Sequence, residues 1–195
     1  MDFKLVAASI GAALVILAYV PYVIEILRGN TKPHLYTWTI WFLTLAIALL
    51  GMWYGGARIS ALGYLPSLIL VCIIIGLSLR YGTTNVTRSD ALALIASILA
   101  IAVWVFLNNP LLSVLMVTAI DAIGYYPTAR KSFSEPWSEN ISTWILFTMS
   151  AMLLFYAIEV YSLQTSIYLA VTIVANVILI GLIVVRRLYV PRLPL

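Results

Sequence analysis

Tyr19-Val20-Pro21 returns 106 positions later as Tyr125-Tyr126-Pro127, and Thr37-Trp38 returns at the same offset as Thr143-Trp144. The gap from Pro to Trp is 17 residues in both copies. An offset that holds at a helix-breaking Pro and again at a Thr-Trp pair marks an internal duplication. In so apolar a chain it points to a duplicated membrane unit.

Composition sets the solvent. The 195 residues are 64% hydrophobic and 9% charged, with a mean hydropathy of +1.07. That is too little polar surface to face water, so an integral membrane protein is expected. A spanning helix takes about 20 apolar residues to cross about 30 Å of hydrocarbon. The polar breaks leave room for seven spans, at 5 to 28, 35 to 54, 58 to 80, 90 to 107, 111 to 130, 139 to 158 and 163 to 185. No separate soluble domain fits between them. Cys72 is the single cysteine, which excludes an intramolecular disulfide. The first apolar run starts right after Met1-Asp2-Phe3-Lys4 and is too long for a signal-peptide core, so it reads as a retained span.

Charge orients the spans. If they alternate, one side carries Arg28, Lys32, Arg80, Arg88, Arg130, Lys131, Arg186, Arg187 and Arg192, and the other only Lys4 and Arg58. Positive loops stay cytoplasmic, so the N-terminus is expected outside and the C-terminus inside a bacterial or archaeal cell membrane. The net charge of +4 is then a topology signal and calls for no nucleic acid. Asn85-Val86-Thr87 and Asn140-Ile141-Ser142 resemble glycosylation sequons but fall on the cytoplasmic side, where they read as chance matches.

Topology gives the repeat its sense. Pro21 and Pro127 sit near the inner ends of spans one and five, so both copies run outside to inside. A three-span unit ends on the side opposite its start, and two parallel copies therefore need an odd linking span, which 90 to 107 supplies. The expected fold is all-α and transmembrane: seven helices, with a first triple-helix unit over 1–82, a linking helix over 83–108 and a second triple-helix unit over 109–195.

This 3+1+3 order, with a proline near the inner end of each triplet's first helix, resembles the PQ-loop superfamily, which includes the SWEET sugar transporters. The defining Pro-Gln dipeptide reads here Pro21-Tyr22 and Pro127-Thr128. The run Arg28-Gly29-Asn30-Thr31-Lys32-Pro33 with Trp38-Thr39-Ile40-Trp41 is similar to a group of bacterial PQ-loop-like membrane proteins. The resemblance covers nearly the whole chain and implies transport of a small solute by alternating access, with proton coupling as an option. A receptor or scaffold that presents the same bundle to a ligand without moving it is the alternative.

The site residues follow from helix physics. Pro21 and Pro127 free the carbonyls of Leu17 and Ile123 and bend their helices, which suits paired hinges; helix shaping alone is the simpler role. Asp121 falls roughly 15 Å into the fifth span, near the bilayer centre, where an unpaired carboxylate costs at least about 2.5 kcal/mol. It should therefore face the bundle interior, as a proton-coupling group or a bonded structural acid. Its repeat equivalent is Val15. SWEETs place an Asn in the third helix of each triplet to bind substrate, and Asn176 resembles that residue, with Leu70 opposite it at the repeat offset; an amide that ties two helices together is the alternative. Trp38 and Trp144 either belong to an interfacial aromatic belt or wall a substrate path, with Trp41 and Phe147 one turn on.

Glu25 aligns with Lys131, so the two could meet as a gate at the inner mouth; alternatively Glu25 pairs with Arg28 along its own helix. Tyr156 and Tyr168 read as packing aromatics, Pro66 as a helix-shaping residue, His34 as an interface residue, and Arg186, Arg187 and Arg192 as stop-transfer charge. With one His and one Cys, no zinc-protease, redox or Ser-His-Asp set assembles, so no enzyme and no cofactor or metal is expected. Membrane lipid and a small-molecule substrate are the expected partners, and the sequence also admits a homo-oligomer.

Overall fold

Seven long α-helices account for most of the chain in a computed structural model that describes residues 2–29, 33, 35–82, 88–134, 136–138 and 140–191. They are α1 (Phe3–Leu27), α2 (Leu35–Tyr54), α3 (Arg58–Tyr81), α4 (Arg88–Leu107), α5 (Pro110–Ser134), α6 (Ile141–Tyr156) and α7 (Leu163–Tyr189), with one 3-10 turn at Pro136–Ser138. Among the described residues there is no strand.

Local chemistry sets the boundaries. Asp2 caps α1 by accepting the Lys4 N–H at 3.0 Å, which starts the helix at Phe3, ahead of the expected residue 5. Asn140 accepts the Ser142 N–H at 3.1 Å, so this sequon-like residue is the N-cap of α6. Ser162 and Thr165 form a reciprocal capping box at the start of α7. Between α4 and α5, Asn108 turns the chain at φ 47, a left-handed conformation that Asn tolerates. Pro110 then takes the first helical position, where its missing N–H loses no bond.

The surface is that of a membrane protein. Helices α1, α3 and α7 are long and apolar enough to cross a bilayer, and α2, α4, α5 and α6 carry shorter apolar stretches. Leu17, Ile69, Ile73, Ile98, Ile123, Val177 and Ile178 point outward, whereas Thr44, Ser60, Ser67, Ser113, Ser150, Thr172 and Asn176 are buried. Water would not sustain that distribution, and lipid does. Small residues let the helices approach: a Cβ on Gly63 would run into Leu154, and one on Gly51 into Val114. Buried hydroxyls tie helices together, with Ser60 Oγ donating to Leu154 O at 2.6 Å, Ser150 Oγ to Gly11 O at 2.8 Å and Ser113 Oγ to Ala100 O at 2.8 Å.

Packing pairs match across the duplication. Helix α3 packs on both α1 and α2, and α7 packs on both α5 and α6. Between these groups α1 lies against α6 as α2 lies against α5, and α3 touches α6 as α7 touches α2. Helix α4 packs on α5 and α2.

Burial corrects the repeat register. Ala7, Ala8 and Ile26 are buried on α1 where Ser113, Val114 and Ser132 are buried on α5, and Thr44, Leu45 and Ala48 on α2 match Ser150, Ala151 and Leu154 on α6, all at the offset of 106. On the third helices the buried set Ser60, Ser67, Val71, Ile74 and Ser78 matches Thr165, Thr172, Asn176, Leu179 and Ile183, an offset of 105. The counterpart of Asn176 is thus Val71 instead of Leu70, and that of Pro66 is Val171. One residue is missing from the second copy ahead of its third helix. Such a slip turns a helix face by about 100°, so it shows in which side chains are buried.

Candidate functional site

A cavity of about 790 Å³ lies among six of the seven long helices, with no lining residue from α4 among the described residues. That size is in the range of small-molecule pockets. It runs from mid-helix residues Leu45, Tyr64, Ser67, Asp121 and Tyr168 to the helix ends that carry Glu25, Thr128, Asn140 and Thr143. The opposite ends of the helices are laced together. Lys4 Nζ donates to Ile158 O at 2.7 Å, the Ile59 N–H donates to Glu159 Oε2 at 2.7 Å, and Gln164 Nε2 donates to Gly51 O at 2.8 Å.

The floor is built from α5 and α7. Asp121 lies roughly 16 Å along the α5 axis from Pro110. Thr44 Oγ1 on α2 stands 3.2 Å from its Oδ1, and the Tyr168 hydroxyl stands 3.3 Å from its Oδ2. One turn on from Asp121, the Tyr125 hydroxyl donates to Asn176 Oδ1 at 2.9 Å. Thr172, between Tyr168 and Asn176 on the same face of α7, donates to the Tyr168 carbonyl at 2.9 Å. Asn176 is 1% exposed, and its Nδ2 is buried with no hydrogen-bond partner. A buried amide donor left unmade costs about 1–3 kcal/mol, and here it belongs to a residue of the cavity wall.

The walls are aromatic, and they repeat. Tyr19 and Trp38 hold their ring centroids 6.2 Å apart, and their repeat equivalents Tyr125 and Trp144 are 5.9 Å apart. Trp38 meets Trp41 edge to face at 4.9 Å, and Trp144 meets Phe147 edge to face at 6.3 Å. Tyr22 packs on Trp38 at 5.2 Å, while its counterpart Thr128 leaves the second copy without that ring. Tyr64 and Tyr168 meet at 6.2 Å across the middle. Trp38 is only 6% exposed and lines the cavity, so it is no member of an interfacial belt.

Six of the eight candidate hinge, binding, coupling and gate residues line this one cavity: Pro21, Glu25, Trp38, Asp121, Trp144 and Asn176. Pro21 lies inside α1, which continues to Leu27. Pro127 and Lys131 fall within the span of α5, but their side chains lie outside the described residues, as do His34 and Lys32. Glu25 pairs with Arg28 at 3.4 Å along its own helix. At that exposure such a pair is worth only a few tenths of a kcal/mol.

Two expectations change. Tyr156 is exposed, but Tyr168 belongs to the floor and is more than a packing aromatic. Arg186 and Arg187 do more than anchor the last helix. Their Nε atoms donate to Phe133 O at 2.7 Å and Pro136 O at 3.1 Å, and each guanidinium lies over a ring, Phe133 or Trp137, binding the α5–α6 turn to α7. Sequence reasoning also missed Thr44, Tyr64 and Tyr125. Tyr125 was within reach, since it repeats Tyr19 and lies one turn from Asp121.

Among the described residues no three His, Cys, Asp or Glu side chains gather to hold a metal. The described lining offers groups that recognise a ligand: two carboxylates, Asp121 and Glu25, the unpartnered amide of Asn176 and a ring of aromatic faces. Compared with protein-family models, with curated proteins and with solved structures, the chain finds no match in any.

Proposed function

We propose that the protein is a small-solute membrane transporter that works by alternating access, with proton coupling through Asp121. In this reading all seven long helices cross the bilayer. Residues 1–82 and 109–195 form two parallel three-helix units, and 83–108 links them, as in the PQ-loop-like fold that the sequence resembles. Supporting it are the matched packing pairs, α1 on α6 with α2 on α5 and α3 on α6 with α2 on α7. In this reading the open end of the cavity faces the cytoplasm and the N-terminus lies outside, which the skew of basic residues supports.

The observation that carries the reading is the cavity itself. It lies between the two units, reaches a carboxylate near mid-helix, and is open toward one end and laced shut at the other. That is the shape of one endpoint of an alternating cycle. The opposite endpoint would break the Ile59–Glu159 and Gln164–Gly51 bonds and close the Tyr22, Trp38 and Trp144 walls, with Pro21 and Pro127 as hinges. Trp38, Trp144 and Asn176 would contact solute, and Glu25 with Lys131 would meet at the inner mouth.

Purified protein in proteoliposomes with an imposed proton gradient tests this. A panel of labelled solutes should contain at least one that accumulates, and Asp121→Asn should bring gradient-driven uptake down to that of empty vesicles. The sealed end suits one other reading, a receptor that binds and does not move its ligand. Stoichiometric binding with no flux of any solute would favour that receptor.

A further inference from the structure

We propose that the solute is an organic monocation carrying a neutral hydrogen-bond acceptor, seated with its positive group between Asp121 and the aromatic walls and its acceptor on Asn176 Nδ2. This deepens the transport reading and rests on it only in calling the ligand a solute that is moved.

Hydrogen-bond accounting on the floor leads there. The Tyr168 hydroxyl is directed at Asp121, the Tyr125 hydroxyl at Asn176 Oδ1, and the Thr172 hydroxyl at the Tyr168 carbonyl. These three hydroxyls are therefore engaged within the protein. Beside them, two floor groups keep unmet capacity: the further lone pairs of the Asp121 carboxylate, and Asn176 Nδ2, which is buried without a partner. The first calls for a cation or a donor, and the second for an acceptor.

Charge narrows the choice. Among the described lining residues there are two carboxylates, Asp121 and Glu25, and no Lys, Arg or His. A ligand carboxylate would meet like charge from Asp121 and Glu25, which disfavours anions and zwitterions. A cation completes the pair that Asp121 lacks at a depth where an uncompensated charge is costly. The walls act in the same direction, because the faces of Trp, Tyr and Phe attract cations and sets of them enclose quaternary ammonium groups. Tyr19, Tyr22, Trp38 and Trp41 stand together on one side and Tyr125, Trp144 and Phe147 on the other, and Tyr19 joins the two sets through Phe147 at 5.0 Å. One deep carboxylate cannot hold a proton and a cation at once, so coupling takes the form of exchange, the solute leaving as the proton arrives.

Four small probes of similar size separate the contributions: choline, tetramethylammonium, the neutral choline isostere 3,3-dimethyl-1-butanol, and the zwitterion glycine betaine. Binding to the purified full-length protein in detergent is read by calorimetry or tryptophan fluorescence, independently of flux. Choline should bind at least tenfold tighter than dimethylbutanol and betaine, and severalfold tighter than tetramethylammonium. Asp121→Asn should erase the preference for cation over neutral, and Asp121→Glu, which keeps the charge, should restore part of it. Asn176→Val, which installs the residue of the first copy, should remove the advantage of choline over tetramethylammonium and leave the cation preference intact. Equal or tighter binding of dimethylbutanol, an unchanged cation preference in Asp121→Asn with the fold retained by thermal melting, or no binding of either cation at millimolar concentration would overturn the proposal. Cation binding without flux would leave this site standing and remove only the transport reading; flux of a neutral solute would do the reverse.

Discussion

The two copies of the repeat agree at their walls and differ at their floor. Tyr19 with Trp38 and Tyr125 with Trp144 form the same ring pair at nearly the same separation, and buried Ala7, Ala8, Gly11 and Ile26 on α1 recur as buried Ser113, Val114, Val117 and Ser132 on α5. Yet where the second copy places Asp121, Thr172 and Asn176, the first places Val15, Ser67 and Val71. Shared positions build the container, and divergent ones hold its chemistry. A symmetric bundle can thereby carry one charge near its centre without doubling the penalty of burying it.

The harshest test of that contrast is to copy the acid into the first half. Val15 is 1% exposed, and the position that matches Tyr168 on α3 is Gly63, which offers no hydroxyl. Val15→Asp should therefore cost at least about 2.5 kcal/mol of stability, the lenient insertion penalty for a central carboxylate, measured by reversible unfolding in mixed micelles. A loss within experimental error would break the comparison, since it would mean that either half accommodates the charge.

A somewhat smaller effect is expected at Gly63, where a side chain would press on Leu154 and Ala8 at the meeting of α1, α3 and α6. Gly63→Leu overpacks that contact and should cost about 1–3 kcal/mol by the same measurement. Gly76, whose added Cβ would meet nothing, is the control that should stay neutral to packing.

The hinge assignment predicts a kinetic change. Pro21→Ala returns a donor to the Leu17 carbonyl and straightens α1, so uptake should fall about tenfold, or ~1.4 kcal/mol on the barrier, with solute affinity unchanged. Pro127→Ala should match it if the copies act alike. Smallest of all is Arg28→Gln: breaking its exposed pair with Glu25 should move stability by only a few tenths of a kcal/mol.

Much of this was legible in the chain. Helix number followed from apolar runs; the starts of α1 and α6 were missed by two residues at Asp2 and Asn140, whose caps set them away from the hydropathy edge, and α5 and α7 run four residues past their expected ends. Asp121 and Trp38 stood out because their residue types are conspicuous at those depths. Tyr168 did not, because a tyrosine in a membrane helix reads the same whether its hydroxyl meets lipid, backbone or a carboxylate. The one-residue slip ahead of α7 was invisible for a related reason. Val71 and Leu70 are both apolar neighbours, and only three-dimensional burial tells which faces Asn176.

The central claim is that the cavity floor is reached by water alternately from both sides. Ser67 lines that floor on α3, and Cys72, the single cysteine, is exposed on the same helix and removable as Cys72→Ser. In that background, Ser67→Cys should react with a membrane-impermeant maleimide applied from the cytoplasmic side, and more slowly from the outside. Bound solute should slow both reactions. Reaction from one side only, however long the exposure, would contradict alternating access and leave a binding cavity with a single mouth.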